Sequence, residues 1–229
     1  MDELTPRDVD RRFGALVGAF GWDSETDDDL TSGVPATLVR RLRPGDVIPV
    51  NARARFLMTT FEGQELAAYG WRTGLRIGSR DVRHLPSLKE PGVQLVDERD
   101  HYLDAGADAV WVDISRVWVE ELVHVPRSHV PTEGAWLRSV LDDQNAPRIE
   151  PLQPVAGRSH LIGSRVVHAF GDGRYDVDLR AVSGPLMSGD GTLAVAVVDE
   201  AQWYRWHQGS YTAEDRTVGH LPAEELWVE

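Results

Sequence analysis

The sequence contains no cysteine among its 229 residues. Disulfide scaffolds, thiolate zinc sites and thiol nucleophiles are therefore excluded, and any metal site would have to use histidine and carboxylate side chains. Lysine is almost absent as well, because Lys89 is one of 24 basic residues and the other 23 are arginine. This preference for arginine indicates a bacterial gene of high GC content.

Long apolar runs are also missing. The N-terminal segment MDELTPRDVDRR is charged from its second residue, which is the pattern of neither a secretory signal nor a membrane anchor. We therefore expect a cytoplasmic protein that does not contact a membrane. Because 41% of the residues are hydrophobic, the chain can bury a core without disulfides or metal.

The local motifs of common enzymes do not occur: there is no G-x-S-x-G elbow, no Walker A loop and no G-x-G-x-x-G. His124 and His129 have the wrong spacing for a helical H-E-x-x-H zinc site. The stretch DERDHYLDAGAD, 97–108, lacks the residue order of an EF-hand, so it predicts an acidic hairpin loop. We predict no catalytic residue, no metal site and no cofactor, and a site assembled in space from Asp, Glu and His remains open.

Charge is unevenly distributed along the chain. The formal net charge of −13 opposes general binding to nucleic acid or anionic lipid. Residues 36–83 nevertheless contain nine arginines against four acidic residues. These arginines either pair with acidic segments such as DSETDDD, 23–29, or bind an external anion.

The N-terminal half predicts helices first and strands afterwards. Apolar spacing after Thr5-Pro6 predicts a helix over 5–20, and PATLVRRLR predicts a short helical turn that ends at Pro44-Gly45. From residue 46 the pattern becomes extended, with a hairpin around 62–64. Further strands are predicted at 92–98, 109–114 and 116–125, followed by a short helix within 131–145.

A proline-rich connection divides the chain. Three prolines from Pro147 to Pro154 predict an extended segment over 146–157, between an N-terminal β-rich module, 1–145, and a C-terminal one, 158–229. In the second module, GDG at 171–173 predicts a hairpin turn, and TLAVAVVDE, 192–200, predicts a strand buried on both faces. The expected fold class is α+β and β-rich, with two small antiparallel sheet or barrel-like modules, an N-terminal helix and a short connecting helix.

Two segments echo each other: VWVEEL, 117–122, and EELWVE, 224–229. We interpret each as an extended Trp-Val-Glu segment beside a Glu-Glu-Leu turn. Successive strand residues face opposite sides, so Trp118 and Trp227 would cover the rim of a sheet while the valines pack inside. The tail HLPAEELWVE resembles the last strand of SH3-like barrels, and that resemblance implies a barrel-like closure.

The densest aromatic cluster is QWYRWHQG, 202–209, with Trp203, Tyr204, Arg205, Trp206 and His207. It is either a recognition patch or a seal over the second core. If the segment is helical, Trp203 and Trp206 share one face. Our first hypothesis is a non-enzymatic protein-binding module whose acidity suits a basic partner, as in an immunity-type or regulatory protein.

The alternative is a small enzyme or ligand-binding protein. Its pocket would lie between the two halves and bind an anion through Arg72, Arg76 and Arg80 together with residues 203–207. Nucleic-acid binding through residues 36–83 is a weaker third hypothesis, because the overall charge repels phosphate. The sequence specifies neither the partner's identity nor the oligomeric state.

Overall fold

The structure, a computed structural model, describes residues 33–62, 65–103, 109–125, 147–156, 158, 160–170, 174–189, 191–208 and 218–229. The helices predicted within 5–20 and 131–145 and the acidic segment 23–29 lie outside these residues. Within them, the elements in chain order are β1 Val34–Arg41, β2 Arg53–Glu62, β3 Glu65–Arg83, β4 Gly92–Asp97, α1 Glu98–Leu103, β5 Val110–Asp113, the 3-10 turn Ile114–Arg116, β6 Val117–Val125, β7 Arg148–Pro151, β8 Gln153–Pro154, β9 Arg165–Ala169, β10 Tyr175–Ala181, β11 Leu186–Met187, β12 Leu193–Asp199, α2 Glu200–His207, β13 Gly219–Pro222, the 3-10 turn Ala223–Glu225 and β14 Leu226–Val228.

The strands form two antiparallel sheets. The first has the order β5-β4-β3-β2-β6-β1-β7, and the second has the order β11-β12-β10-β9-β14-β8, with β13 paired to β12. The predicted α+β, β-rich class with antiparallel sheets is therefore confirmed. Short loops connect the hairpins, which is the usual way of joining antiparallel strands.

The chain divides into two compact units. Module A comprises Leu38–Glu121 and Glu133–Ile149, and module B comprises Met1–Thr37, Leu122–Thr132 and Glu150–Glu229. Each has its own apolar core, built around Ile77 and Val117 in module A and around Val166 and Leu226 in module B. The predicted boundary at 146–157 stays a prediction.

Both predicted hairpins are present. β2 and β3 pair up to Glu62 opposite Glu65, and β9 and β10 pair up to Ala169 opposite Tyr175. The predicted turn residues 63–64 and 171–173 lie outside the described residues. The strands expected at 92–98, 109–114 and 116–125 correspond to β4, β5 and β6.

The helical turn predicted for PATLVRRLR is wrong, because this segment forms strand β1. Val34, Ala36, Leu38 and Val39 are all buried, so apolar residues lie on both faces of the strand. β1 lies between β6 and β7 inside its sheet, where pairing satisfies the backbone on both sides. Burial on both faces removes the alternation that identifies a strand from sequence.

The acidic loop predicted for 97–108 is also wrong where it is described, because residues 98–103 form helix α1. The Glu-Glu-Leu turn predicted at 120–122 belongs to strand β6, and the turn of the first echo is instead the preceding 3-10 turn. Strand β12 is not buried along its whole length. Val195, Val197 and Val198 are buried, whereas Leu193 is 47% exposed.

The two modules repeat the same local backbone features, beginning with a turn before β2 and β9. Asn51 and Gly163 occupy this turn with φ of 65° and 85°. The Asn51 amide donates to the Ile77 carbonyl at 2.9 Å, and the Gly163 amide donates to the Ala181 carbonyl at 2.8 Å. Asparagine and glycine are the residues that most readily accept positive φ, so each copy has a suitable residue.

A β-bulge recurs in the same way. The first of the two register shifts between β2 and β3, after Ala54, has a counterpart in the register shift between β9 and β10 before Leu179. Gly74 and Asp178 lie at these bulges with φ of 70° and 62°. Beyond each bulge the next strand pairs alike, with Leu75 opposite Asp97 and Leu179 opposite Asp199.

The echo between the chain's two Trp-Val-Glu segments belongs to this repeat. A 3-10 turn precedes both β6 and β14, and Trp118 and Trp227 then face Arg55 and Val167 in the same register. The following valines are buried, as predicted. Trp227 is half-buried, but Trp118 is only 3% exposed and packs edge to face on Trp71 with a centroid distance of 4.6 Å.

Candidate functional site

A buried ion cluster anchors helix α1 in module A. The Glu98 carboxylate is 1% exposed, and its Oε1 lies 3.2 Å from Arg76 Nε and 3.7 Å from Arg53 Nε. Arg76 also donates to the Asn51 carbonyl at 2.9 Å and to the Tyr102 hydroxyl at 2.5 Å. A buried carboxylate is tolerated only when it is paired and hydrogen-bonded, so these contacts fix the first turn of the helix on the sheet.

Module B contains the same cluster under helix α2. Glu200 is fully buried, with Oε1 at 2.8 Å from Nε of both Arg165 and Arg180. Arg180 also donates to the Gly163 carbonyl at 2.9 Å and to the Tyr204 hydroxyl at 3.2 Å. Every partner has a counterpart in module A, so this cluster is part of the repeated scaffold.

The repeat therefore separates scaffold residues from residues specific to one copy. α1 and α2 share the buried glutamate and the tyrosine four residues later, since Glu98 and Tyr102 match Glu200 and Tyr204. His101 of α1 occupies the position that Trp203 has in α2. The helix of module B thus has a tryptophan where α1 has a histidine, although the buried glutamate and the tyrosine are the same in both helices.

The aromatic face of α2, defined as Trp203, Trp206 and His207, is one connected cluster. The two tryptophan rings meet edge to face, with 5.9 Å between centroids and 86° between planes. The His207 ring lies 3.9 Å from the Trp203 ring, and its Nδ1 lies 2.9 Å from the Trp203 carbonyl oxygen. Helical spacing of three and four residues brings the side chains together, as predicted for a helical segment.

This aromatic face lies outside the buried core of module B. Both tryptophans are partly exposed and His207 is exposed, while the core cluster is aliphatic. A Cβ at Gly163 would lie 3.4 Å from Trp203 Cζ2, and the neighbouring Ile162 is 68% exposed. The face is thus a surface feature supported by the turn beneath it.

The structure distributes the other predicted site residues differently. Tyr204 belongs to the ion cluster, and Arg205 is exposed on α2. In module A, Arg76 is buried in the first ion cluster, whereas Arg72 and Arg80 are exposed. Arg72 lies 3.9 Å from Asp97, and both residues line a small recess together with Phe56 and Val110. The anion pocket between the halves stays a prediction.

Many arginines of the 36–83 segment make ion pairs within module A. Arg40 pairs with Glu121 at 2.8 Å and Arg55 pairs with Glu120 at 2.6 Å, in addition to the cluster on Glu98. This agrees with internal pairing as the explanation of the arginine-rich segment. The acidic partner suggested at 23–29 lies outside the described residues.

Two histidine side chains of module B make polar contacts outside the ion cluster. His168 Nε2 lies 2.8 Å from Glu225 Oε2, and His124 Nδ1 bonds the Tyr175 hydroxyl. Burial raises the pKa of Tyr175 far above its ordinary value, so this phenol keeps its proton at an alkaline pH where an exposed tyrosine would lose it. Within the described part of the chain, no group of three or more histidine, aspartate or glutamate residues is placed to hold a metal ion.

Sequence reasoning missed both ion clusters. A signal was present, because Val-Asp-Glu recurs at 96–98 and 198–200 and each helix begins at its glutamate. The arginine partners, however, come from two strands that precede the helix, and in module A Arg53 lies 45 residues before Glu98. Only the fold brings these side chains together.

Comparisons with protein-family models, with curated protein sequences and with solved structures gave no match for this chain. The described residues contain no helix with the length and apolarity required to cross a membrane. The candidate site therefore rests on the geometry of module B and on its comparison with module A.

Proposed function

We propose that the protein is a non-enzymatic binding module that contacts a protein partner through the aromatic face of α2. The observation that supports this is the placement of Trp203 and Trp206 on the surface of a helix whose first residue, Glu200, is fixed by a buried ion cluster. Tryptophan is among the residues that contribute most to binding at protein interfaces. A rigid anchor lowers the conformational entropy lost when such a surface is covered.

The partner in this proposal is basic. A net charge of −13 speeds encounter with a positively charged protein and disfavours nucleic acid. An acidic neutralising partner of a basic toxin or nuclease, acting in the bacterial cytoplasm, is the most specific form of the proposal. Charge supplies the attraction at distance, and the aromatic face supplies the contact.

Affinity capture from a host extract tests the proposal. The tagged full chain is compared with a Trp203→Ser/Trp206→Ser variant and with a Leu186→Ser/Met187→Ser control. The control residues are 63% and 68% exposed and lie on a different element of module B. We expect the wild type and the control to retain the same basic protein at low salt and to release it at high salt.

The tryptophan variant should lose that protein while keeping the far-UV circular dichroism of the wild type. If the tryptophan variant retains the partner as well as the control does, the aromatic face is not the contact. A recovered partner that is indifferent to salt would remove the basic-partner part of the proposal.

A further inference from the structure

We propose that the aromatic face of α2 receives a cationic side chain, an arginine or a lysine of the partner, through cation–π contact. This inference rests on the proposed function, because it specifies the chemistry of the same surface. Its basis is the ring geometry of α2, the behaviour of arginine elsewhere in this molecule, and charge complementarity.

The ring geometry suits a cation. The planes of Trp203 and Trp206 are 86° apart, so the two indole rings face in different directions, and His207 lies against Trp203 with 3.9 Å between ring centroids. The face of an indole carries negative potential, and a guanidinium or ammonium within about 6 Å of the ring centroid is attracted to it. A flat apolar patch without such ring faces would have no preference for a charged group.

Arginine already contacts the three described tryptophans of module A in this way. Arg83 lies over Trp111 at 4.9 Å, and two further arginines lie over Trp71 and Trp118 at 5.6 Å and 5.3 Å from the ring centroids. Among the described residues, the ring of Trp203 contacts His207 and Trp206 and has no arginine over it. A partner's arginine would give Trp203 the contact that the module A tryptophans make within the chain.

The charges around α2 favour an incoming cation. Asp199 precedes the helix, is exposed, and uses its side chain to accept from the Gln202 amide. The exposed Arg205 is two residues after Trp203, which places it about 200° around the helix and away from that ring. Since the whole chain has a formal net charge of −13, it attracts a positively charged side chain and repels a carboxylate.

Blocked tripeptides test the inference directly. The probes are Gly-X-Gly peptides in which X is arginine, citrulline or norleucine, so that the guanidinium is compared with a neutral isostere and with an apolar chain. Indole N–H resonances of the ¹⁵N-labelled full chain are followed by NMR and assigned with Trp203→Phe and Trp206→Phe. We expect the arginine peptide to shift the indole resonances of Trp203 and Trp206, with binding about two- to five-fold tighter than that of the citrulline peptide.

Substitutions of Trp203 distinguish binding to an aromatic ring face from binding to an apolar side chain. Trp203→Phe should retain most of the arginine preference, whereas Trp203→Leu should reduce it to what Trp206 alone provides while preserving the backbone spectrum. Equal shifts with all three peptides would overturn the cation inference, as would an arginine preference that Trp203→Leu leaves unchanged. In either case the capture experiment could still support the proposed function, because it does not depend on which side chain of the partner contacts the aromatic face.

Discussion

Replacing Glu200 by glutamine tests the claim that a buried ion cluster positions the aromatic face. The carboxylate is fully buried and its Oε1 lies 2.8 Å from Nε of both Arg165 and Arg180. Glutamine keeps the shape and one oxygen acceptor, but it removes the negative charge. Both arginines would then lose the buried carboxylate that they share, and removing one partner of a buried ion pair is strongly destabilising.

The expected magnitude follows from these distances. With an effective dielectric constant of about 20, two pairs at this separation represent about 12 kcal/mol of Coulomb attraction, most of which offsets desolvation of the three charges. Breaking a buried pair by removing one partner typically costs about 3 to 5 kcal/mol. Since glutamine still accepts a hydrogen bond, we expect Glu200→Gln to lower the free energy of unfolding by about 3 kcal/mol.

Module A supplies the matched control. Glu98 has the same role on α1, with longer distances of 3.2 Å and 3.7 Å to its arginines. Glu98→Gln should therefore destabilise module A by a similar but smaller amount. Only Glu200→Gln should weaken capture of the partner, because only α2 carries the aromatic face.

Urea denaturation combined with hydrogen exchange measures both effects. Urea gives the change in the free energy of unfolding, and mass spectrometry of exchanged peptides locates it in 160–208 for Glu200→Gln and in 51–103 for Glu98→Gln. A loss below about 1 kcal/mol for Glu200→Gln would refute the reasoning, since removing one partner of a buried ion pair typically costs several times more. So would a loss of protection spread evenly over both modules.

Three further substitutions test other features of module B. Burial raises the pKa of Tyr175, so its contribution to the free energy of unfolding is fully present below about pH 10 and is lost as the pH rises further. Tyr175→Phe should therefore lose less stability than the wild type between neutral and alkaline pH, as measured by urea denaturation. Identical pH profiles of the two proteins would contradict this. Gly163 has φ of 85°, so Gly163→Ala should lower the free energy of unfolding by about 1 kcal/mol. Gly163→Asn should lower it clearly less, because Asn51 adopts a positive φ at the matching position of module A. Equal losses for the two variants would argue against the structural repeat. Leu226 is fully buried, so Leu226→Ala should cost about 2 to 5 kcal/mol by urea denaturation, and a near-neutral result would mean that the core is misplaced.

Sequence patterns predicted the hairpins because short-range physics determines them. Turn residues between two extended runs mark the register of a hairpin without information from the rest of the chain. The helical spacing of Trp203 and Trp206 is equally local, and it correctly described their shared face once the segment was known to be helical. Such features need only neighbours in sequence.

Strand β1 and helix α1 were predicted wrongly for the opposite reason. Val34 to Val39 form a strand because neighbouring strands bury both faces, and an apolar run of this length has no period that distinguishes a strand from a helix. Glu98 begins a helix because two arginines from distant strands neutralise it. In each case long-range packing outweighed the local preference.

By itself, the sequence determined that the chain has no thiol chemistry and that it carries a large negative charge. It also determined the alternation of apolar and polar residues and the turn residues that are typical of a β-rich protein. These properties follow from composition and from contacts between near neighbours. Only the tertiary structure decided that two copies of one cluster, on Glu98 and on Glu200, hold two helices that differ in their exposed side chains. A buried charge depends on partners far away in the chain, and no local pattern specifies where folding will place them.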